Sequence, residues 1–399
     1  MRLRRAGAPT ESLPVPHSPF RLLTLHYAAY QFSVAIAGGF VGAYLLKLGF
    51  SLSAALAAYA GLLAARCGLR FLGLMAVRRF GYRATLLAGV ALTSTQFLPL
   101  LYADDVRFLI AWVLVASLAE ALYWPVYHAA VAVTGVPERR GREIGLRTAV
   151  GSLIGVAGPV TGGLLLQHAG AAIDFAIAAA LMLLSMAPLL ALPAFDGGPI
   201  PAARDALRMI DHRALIVFST DGWMTSSTGL VWPMALFLSL GGQFDTLGLA
   251  HAAAGVAGAI AGLLCGRGVD AGKREAYLLA ACGALTLGFL LRAAASWSPA
   301  VGVIANMGGA VVAGLYVPLL MSMVYDRAMQ SGAAYRFHFV AEAGWDIGGA
   351  AGCLTAALVA LMAPAPSLAV LPGGLGVASL YLCLRQRKAE KNAPSVTFT

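Results

Sequence analysis

The chain has 399 residues, of which 59% are hydrophobic and only 12% charged. A soluble chain of that length would form two or three domains and carry about 25% charged residues, so a soluble enzyme, a nucleic-acid reader and a disordered scaffold are excluded. A mean hydropathy of +0.78 also excludes an outer-membrane barrel, whose strands alternate polar with apolar residues. What remains is an all-α polytopic membrane protein: at roughly 20 residues per span, half the chain makes about ten to twelve crossings.

Twelve apolar runs follow one another at 22–46, 51–75, 83–102, 106–133, 146–168, 171–193, 213–240, 246–266, 275–296, 298–325, 335–361 and 365–385. The first begins more than twenty residues in, and reads as a retained helix rather than a cleaved signal. It carries Tyr27, Tyr30 and Gln31 on one face, with His26 alongside. After the second run the chain reads Gly73-Leu-Met-Ala-Val-Arg78-Arg79-Phe80-Gly81-Tyr82-Arg83.

The fourth run holds Glu120, Tyr123, Trp124, Tyr127 and His128 at helical spacing, with Pro125 beside them. Facing lipid, such a stripe is expensive; it is expected to face a cavity with a substrate or proton role, or else to hydrogen-bond a neighbouring helix. Glu120 is about fifteen residues, roughly 20 Å, from either end of its run, and no Lys or Arg lies within two turns on the same helix. Desolvation is therefore expected to let it hold a proton near neutral pH.

In the fifth run, Gly158-Pro159-Val-Thr-Gly162-Gly163 suits close helix packing and a bend. The segment 194–212 is the longest polar interruption and divides six runs from six. The organisation expected is a tail over 1–21, a bundle over 22–193, a linker over 194–212, a second bundle over 213–386 and a tail over 387–399. Six spans, a linker and six spans mark transporters built from repeats.

The seventh run carries Asp221 ahead of Trp223, Thr225, Ser226, Ser227 and Thr228, a patch suited to a cavity or to a helix cap. Between the eighth and ninth runs stands Gly266-Arg-Gly-Val-Asp270-Ala-Gly272-Lys273-Arg274, and the tenth contains Asn306. The eleventh presents His338, Glu342, Trp345 and Asp346 on one face. Two carboxylates one turn apart repel when both are ionised, so one is expected to bind a proton. The alternative is neutralisation by arginines such as Arg147 or Arg336. Met182, Met186, Met321, Met323 and the scattered His26, His128, His251 and His338 show no ligand spacing, so neither a metal site nor another cofactor is expected.

The loop after the second run resembles the cytoplasmic motif G-x-x-x-D-R-x-G-R-R of the major facilitator superfamily, with Arg78 at the acidic position. The 266–274 loop is its second-half counterpart, and Gly158 to Gly163 resembles the superfamily's antiporter motif. The resemblance implies two six-helix bundles that rock about a midplane site. It makes Arg78, Arg79, Gly81, Arg83, Gly158, Pro159, Gly162, Gly163, Asp270, Lys273 and Arg274 gating residues. In this family the first, fourth, seventh and tenth spans line the cavity. That places Tyr27, Tyr30, Gln31, the fourth-run stripe, Asp221 and Asn306 around the substrate, with Trp345 added from the eleventh-run face.

Aromatic rings with acidic neighbours suit a cationic or amphipathic organic solute. The function expected is proton-coupled efflux by a monomer in the bilayer of the cell's inner membrane, with Glu120, Glu342 and Asp346 handling protons. A proton-symporting importer is the runner-up, ahead of a copper carrier or a lipid scramblase. No nucleotide-binding loop or H-E-x-x-H or G-x-S-x-G constellation supports an enzyme.

Placing the N-terminus in the cytoplasm puts 25 of the 28 Lys and Arg residues on that side, Arg66 and Arg70 counted among them, and leaves Lys47, Arg107 and Arg292 outside. Reporter fusions at Ala203 and at the C-terminus should therefore both read cytoplasmic; a periplasmic signal at either would overturn the span count.

Overall fold

The computed structural model describes residues 18–134, 140–200, 202, 204, 212–265 and 274–379. The helices are α1 (Pro19–Ile36), α2 (Val41–Lys47), α3 (Leu52–Thr95), α4 (Phe97–Leu100), α5 (Val106–Thr134), α6 (Arg140–Leu164), α7 (Ala171–Leu184) and α8 (Met186–Leu190). They continue as α9 (His212–Ser226), α10 (Trp232–Ser239), α11 (Phe244–Cys265), α12 (Arg274–Ala293), α13 (Pro299–Gln330) and α14 (Ala334–Met362). Each of the twelve predicted runs contains a described helix. Seven of these helices are long and apolar enough to cross a bilayer, and the segments Cys282–Ser296, Pro299–Gly314 and Pro366–Ser379 are shorter apolar ones.

The helix Leu52–Thr95 is two spans joined at a single residue. At 1.5 Å per residue its 44 residues measure about 66 Å, twice the hydrocarbon core of a bilayer. Gly81 breaks it with φ 82° and ψ 171°, a conformation open essentially to glycine alone. Gly73 and Gly89, eight residues to either side, both abut the same stretch of α5. A β-carbon on Gly73 would lie 2.8 Å from the Ala121 carbonyl oxygen, and one on Gly89 3.0 Å from the Tyr123 nitrogen. The chain therefore doubles back at Gly81, and the two arms straddle α5.

The first-half helices pack α1 on α6 and α7, and α3 on α5; the second-half helices pack α9 on α14 and α13 on α11 and α12. Across the halves, α6 meets α11, while α14 meets α3 and α5. The Gly158–Gly163 stretch serves two of these seams. Gly158 faces Ala35 and Gly162 faces the Ile36 carbonyl, both on α1; Gly163 faces Phe244, whose carbonyl oxygen would lie 2.6 Å from an added β-carbon. On the partner helix, Gly248 faces the Pro159 carbonyl and Gly255 faces that of Gly155. Missing side chains let the backbones touch, which is how helices gain dispersion contact where no hydrophobic drive exists between them.

The segment leaving α8 wedges between the halves at the end of the bundle marked by Gly81, here called the linker end. The Tyr82 hydroxyl donates to the Gly198 carbonyl at 2.8 Å, and the Tyr335 N–H donates to the Gly197 carbonyl at 3.0 Å. The rings of Tyr82 and Tyr335 meet edge to face at 5.5 Å. At the opposite, far end, Phe40 meets Phe244 and Gly42 lies under Met234.

Replacing Gly162 by Ala should lower stability by about 1–3 kcal/mol, because the methyl has no room against the α1 backbone. Gly61→Ala, where nothing lies within 4 Å, should be neutral or stabilising. Thermal unfolding of the purified variants in detergent reads the difference.

Candidate functional site

At mid-depth the halves are joined by charge. Arg66 and Arg70 stand one turn apart on the first arm of α3, with Arg66 fifteen residues from both Ser51 and Gly81. That is about 22 Å from either end of the arm. Arg66 and Arg70 are 5% and 1% exposed, and Asp346 of α14 is fully buried between them. Asp346 accepts from Arg66 Nε on Oδ1 at 2.5 Å and from Arg70 Nε on Oδ2 at 2.7 Å. Arg66 also donates to Glu120 of α5, and its guanidinium lies 5.3 Å from the Trp345 ring centre.

Glu342 is held more loosely. Its Oε2 is 3.4 Å from Arg70 Nη2 and its Oε1 is 3.6 Å from His128 Nε2. His128 Nδ1 and the Tyr325 hydroxyl of α13 are 2.9 Å apart, and the His128 ring stacks on His338 at 5.3 Å. The cluster thus spans α3, α5, α13 and α14.

These contacts add to the sequence reading in two ways. Glu120 does have a basic partner, supplied by α3 rather than by its own helix. The Glu342/Asp346 pair is met by Arg66 and Arg70 of α3, and the Arg147 side chain lies outside the described residues. Arg66 and Arg70 are consequently not loop residues, and they leave the count of topology-setting charges. Both sit inside the 51–75 run; the rule that flags ionisable groups within spans identifies them as readily as it does the acids.

The aromatic stripe divides between two faces. Tyr123 and Tyr127 are buried against α1, where Tyr30 and Tyr123 stack at 4.3 Å and Tyr27 and Tyr127 at 5.7 Å. His26 fixes this cluster: its Nδ1–H donates to the Ser185 carbonyl at 2.8 Å, so its Nε2 accepts from the Tyr123 hydroxyl at 2.9 Å. Glu120, Trp124 and His128, four residues apart, belong to the other face. Trp124 stacks on His128 at 5.4 Å. Gln31 is half-buried on α1, and Asp221 is buried on α9.

A separate cavity of about 480 Å³ lies between the halves, toward the far end. Its wall includes Pro159 of α6, Thr225 of α9, Trp232 of α10, His251 of α11, Arg292 of α12 and Asn306 of α13. Asn306 and His251 each stand seven residues after the starts of their helices, about 10 Å below the far end. Asn306 Oδ1 accepts from Trp232 Nε1 at 2.9 Å, and its Nδ2 donates to the Ala250 carbonyl at 3.0 Å. Of the residues expected around the substrate, Asn306 is the one in this wall. Arg292, His251 and Trp232 join it without having been singled out from the sequence as substrate contacts. Arg292 falls inside the 275–296 run, so it carried the same signal as Arg66.

Of the expected gating residues, Arg78, Arg79 and Gly81 are exposed at the linker end, and Arg83 donates to the Leu190 carbonyl. Asp270 and Lys273 lie outside the described residues, and Arg274 opens α12. Among the described residues, no three His, Cys, Asp or Glu side chains are grouped as ion ligands.

A family profile described as Major Facilitator Superfamily matches residues 23–352. The chain belongs to the major facilitator superfamily. Its members are transporters of small molecules rather than enzymes, and this member is a multi-pass membrane protein with the superfamily's transporter fold. Among solved structures it is similar to the human organic anion transporter MFSD10 (TETRAN), with TM-score 0.66, 16% identity, and coverage of 93% of this chain and 100% of that one. It is also similar to a D-xylose-proton symporter, with TM-score 0.64, 16% identity, and coverage of 92% and 96%. The E. coli fucose:proton symporter FucP gives TM-score 0.61, 16% identity, and coverage of 92% and 98%. At these identities the likeness is one of fold. A comparison with curated protein sequences finds no match.

Asp346→Asn leaves two buried guanidiniums short of their shared anion, and should cost this major facilitator about 3–5 kcal/mol of stability. Glu342→Gln, at the looser edge of the cluster, should cost less. Thermal unfolding of the two variants side by side tests the order; equal losses would contradict it.

Proposed function

We propose that the protein carries a small organic solute across the cytoplasmic membrane by alternating access, as a monomer with both termini cytoplasmic, and that protons drive it. The bundles 22–193 and 213–386 rock against each other about the cavity, and the charge cluster at mid-depth holds α3 to α14 when the linker side is closed.

The supporting observation is the charge balance of that cluster. Arg66 and Arg70 face Glu120, Glu342 and Asp346, so with His128 and His338 neutral the group carries one carboxylate in excess. A single proton brings it to neutrality, which a low-dielectric site favours. Glu342 is the member to receive it, because Arg70 and His128 hold it only at 3.4 and 3.6 Å, while both Asp346 oxygens are tightly bonded. Protonation removes the attraction of Glu342 for Arg70 and weakens the seam between α3 and α14. Glu120 and Asp346 then act as the fixed counter-charges of the arginines.

The gate is assigned to Arg78, Arg79, Gly81 and Arg83, with Asp270, Lys273 and Arg274 as their second-half counterparts. Gly158, Pro159, Gly162 and Gly163 form the pivot on which α6 turns against α1 and α11. Export is the direction we favour, on the antiporter-like sequence of that pivot. Import is the second reading, because two of the similar structures are titled proton symporters.

In proteoliposomes, Glu342→Gln should abolish accumulation driven by a pH gradient while sparing exchange of labelled solute across the membrane. Accumulation that survives with normal pH dependence would move the proton site to Glu120. The sign of the gradient that drives accumulation separates export from import.

A further inference from the structure

Arg292 is a buried cation with an unusual set of neighbours. It is 6% exposed, near the end of α12, and its guanidinium lies 5.5 Å from the Trp232 ring centre and 5.9 Å from that of Phe289. Among the described residues it pairs with no carboxylate, and its Nε is buried without a hydrogen-bond partner. Two glycines make room for it. A methyl at Gly309 would run into Nη2, and one at Gly288 would sit 3.4 Å from Nη1. A charge taken out of water with only aromatic faces beside it among the described residues is costly.

The wall around this group is built to the same sign. Among the described residues lining the cavity, none is Asp or Glu. Asn306 Nδ2 also stands 3.4 Å from His251 Nδ1. The amide is oriented by Trp232, so this nitrogen is a donor; His251 Nδ1 accepts, and in the neutral ring Nε2 carries the proton. The cavity therefore offers a guanidinium and an imidazole N–H, while Met224, Trp232, Leu285 and Val312 supply apolar surface.

We infer that this cavity binds an organic anion with an apolar body, its carboxylate or equivalent acid group held by Arg292. The inference rests on the carrier reading given above and names the solute class for it. It replaces the cationic solute expected from the aromatic and acidic residues of the fourth run, whose acid is committed to Arg66 and whose tyrosines are packed on α1.

The experiment uses the full-length purified protein and matched sets of compounds sharing one carbon skeleton. Benzoate, benzamide and benzylamine form one set; 4-phenylbutyrate, its amide and the corresponding amine form another. Ligand-induced thermal stabilisation gives the affinities. Carboxylates should bind at least about tenfold more tightly than their amides and amines, the range expected of a charge-assisted hydrogen bond. Arg292→Gln should remove that preference, Arg292→Lys should restore part of it, and Gly309→Ala should weaken it by displacing the guanidinium. The comparison within the wild-type protein needs no variant, so a misfolded Arg292→Gln leaves the test intact. Tighter binding of the amines or amides, absence of carboxylate binding, or carboxylate binding unchanged in a folded Arg292→Gln overturns the inference. Counterflow in proteoliposomes separates the two readings. Exchange of a neutral or cationic solute but no carboxylate sinks the anion site and keeps the carrier, whereas carboxylate binding without exchange of any solute does the reverse.

Discussion

The packing of this protein follows from the cost of holding charge in the middle of a bilayer. Two guanidiniums on α3 and two carboxylates on α14 are each untenable alone in that medium, and each becomes tolerable only against the other. Because the partners are 276 residues apart for Arg70 and Asp346, their pairing is also what brings the two halves of the chain together. The glycines at the seams serve the same end. They let α6 and α11 approach to backbone contact, so that the charged atoms on the neighbouring seam fall within bonding distance.

The charge cluster and the cavity divide the bundle along its axis. The cluster lies at mid-depth, with three carboxylates against two guanidiniums; the cavity lies nearer the far end and holds Arg292 with no acid among its described lining residues.

Much of the architecture is legible in the sequence, because spans are long and apolar and glycine marks their crossings. All twelve runs contain helices, and the Gly158–Gly163 motif sits at a close crossing. The hairpin at Gly81 was less visible: its arms read as two runs with a loop between, whereas the helices abut at one glycine. The site was legible in part. Glu120, Glu342, Asp346 and His128 do converge, since helical spacing alone shows which residues share a face. Their partners on α3 were not assigned, because periodicity describes one helix at a time and says nothing of which helix it faces. Tyr123 and Tyr127 show the limit most clearly: five residues on a stripe cover two adjacent rows, and only tertiary packing decides which row meets α1 and which meets the other half.

The segment between the bundles has a consequence for speed. Gly197 and Gly198 give their carbonyls to Tyr335 and Tyr82, one on each half, so the covalent connection doubles as a clasp. Separation of the halves at this end must peel the strand from one tyrosine before the other can move away. Peeling proceeds bond by bond, and its barrier belongs to the strand, independent of what fills the cavity. Turnover would then have a ceiling set by a stretch of chain that never meets the solute.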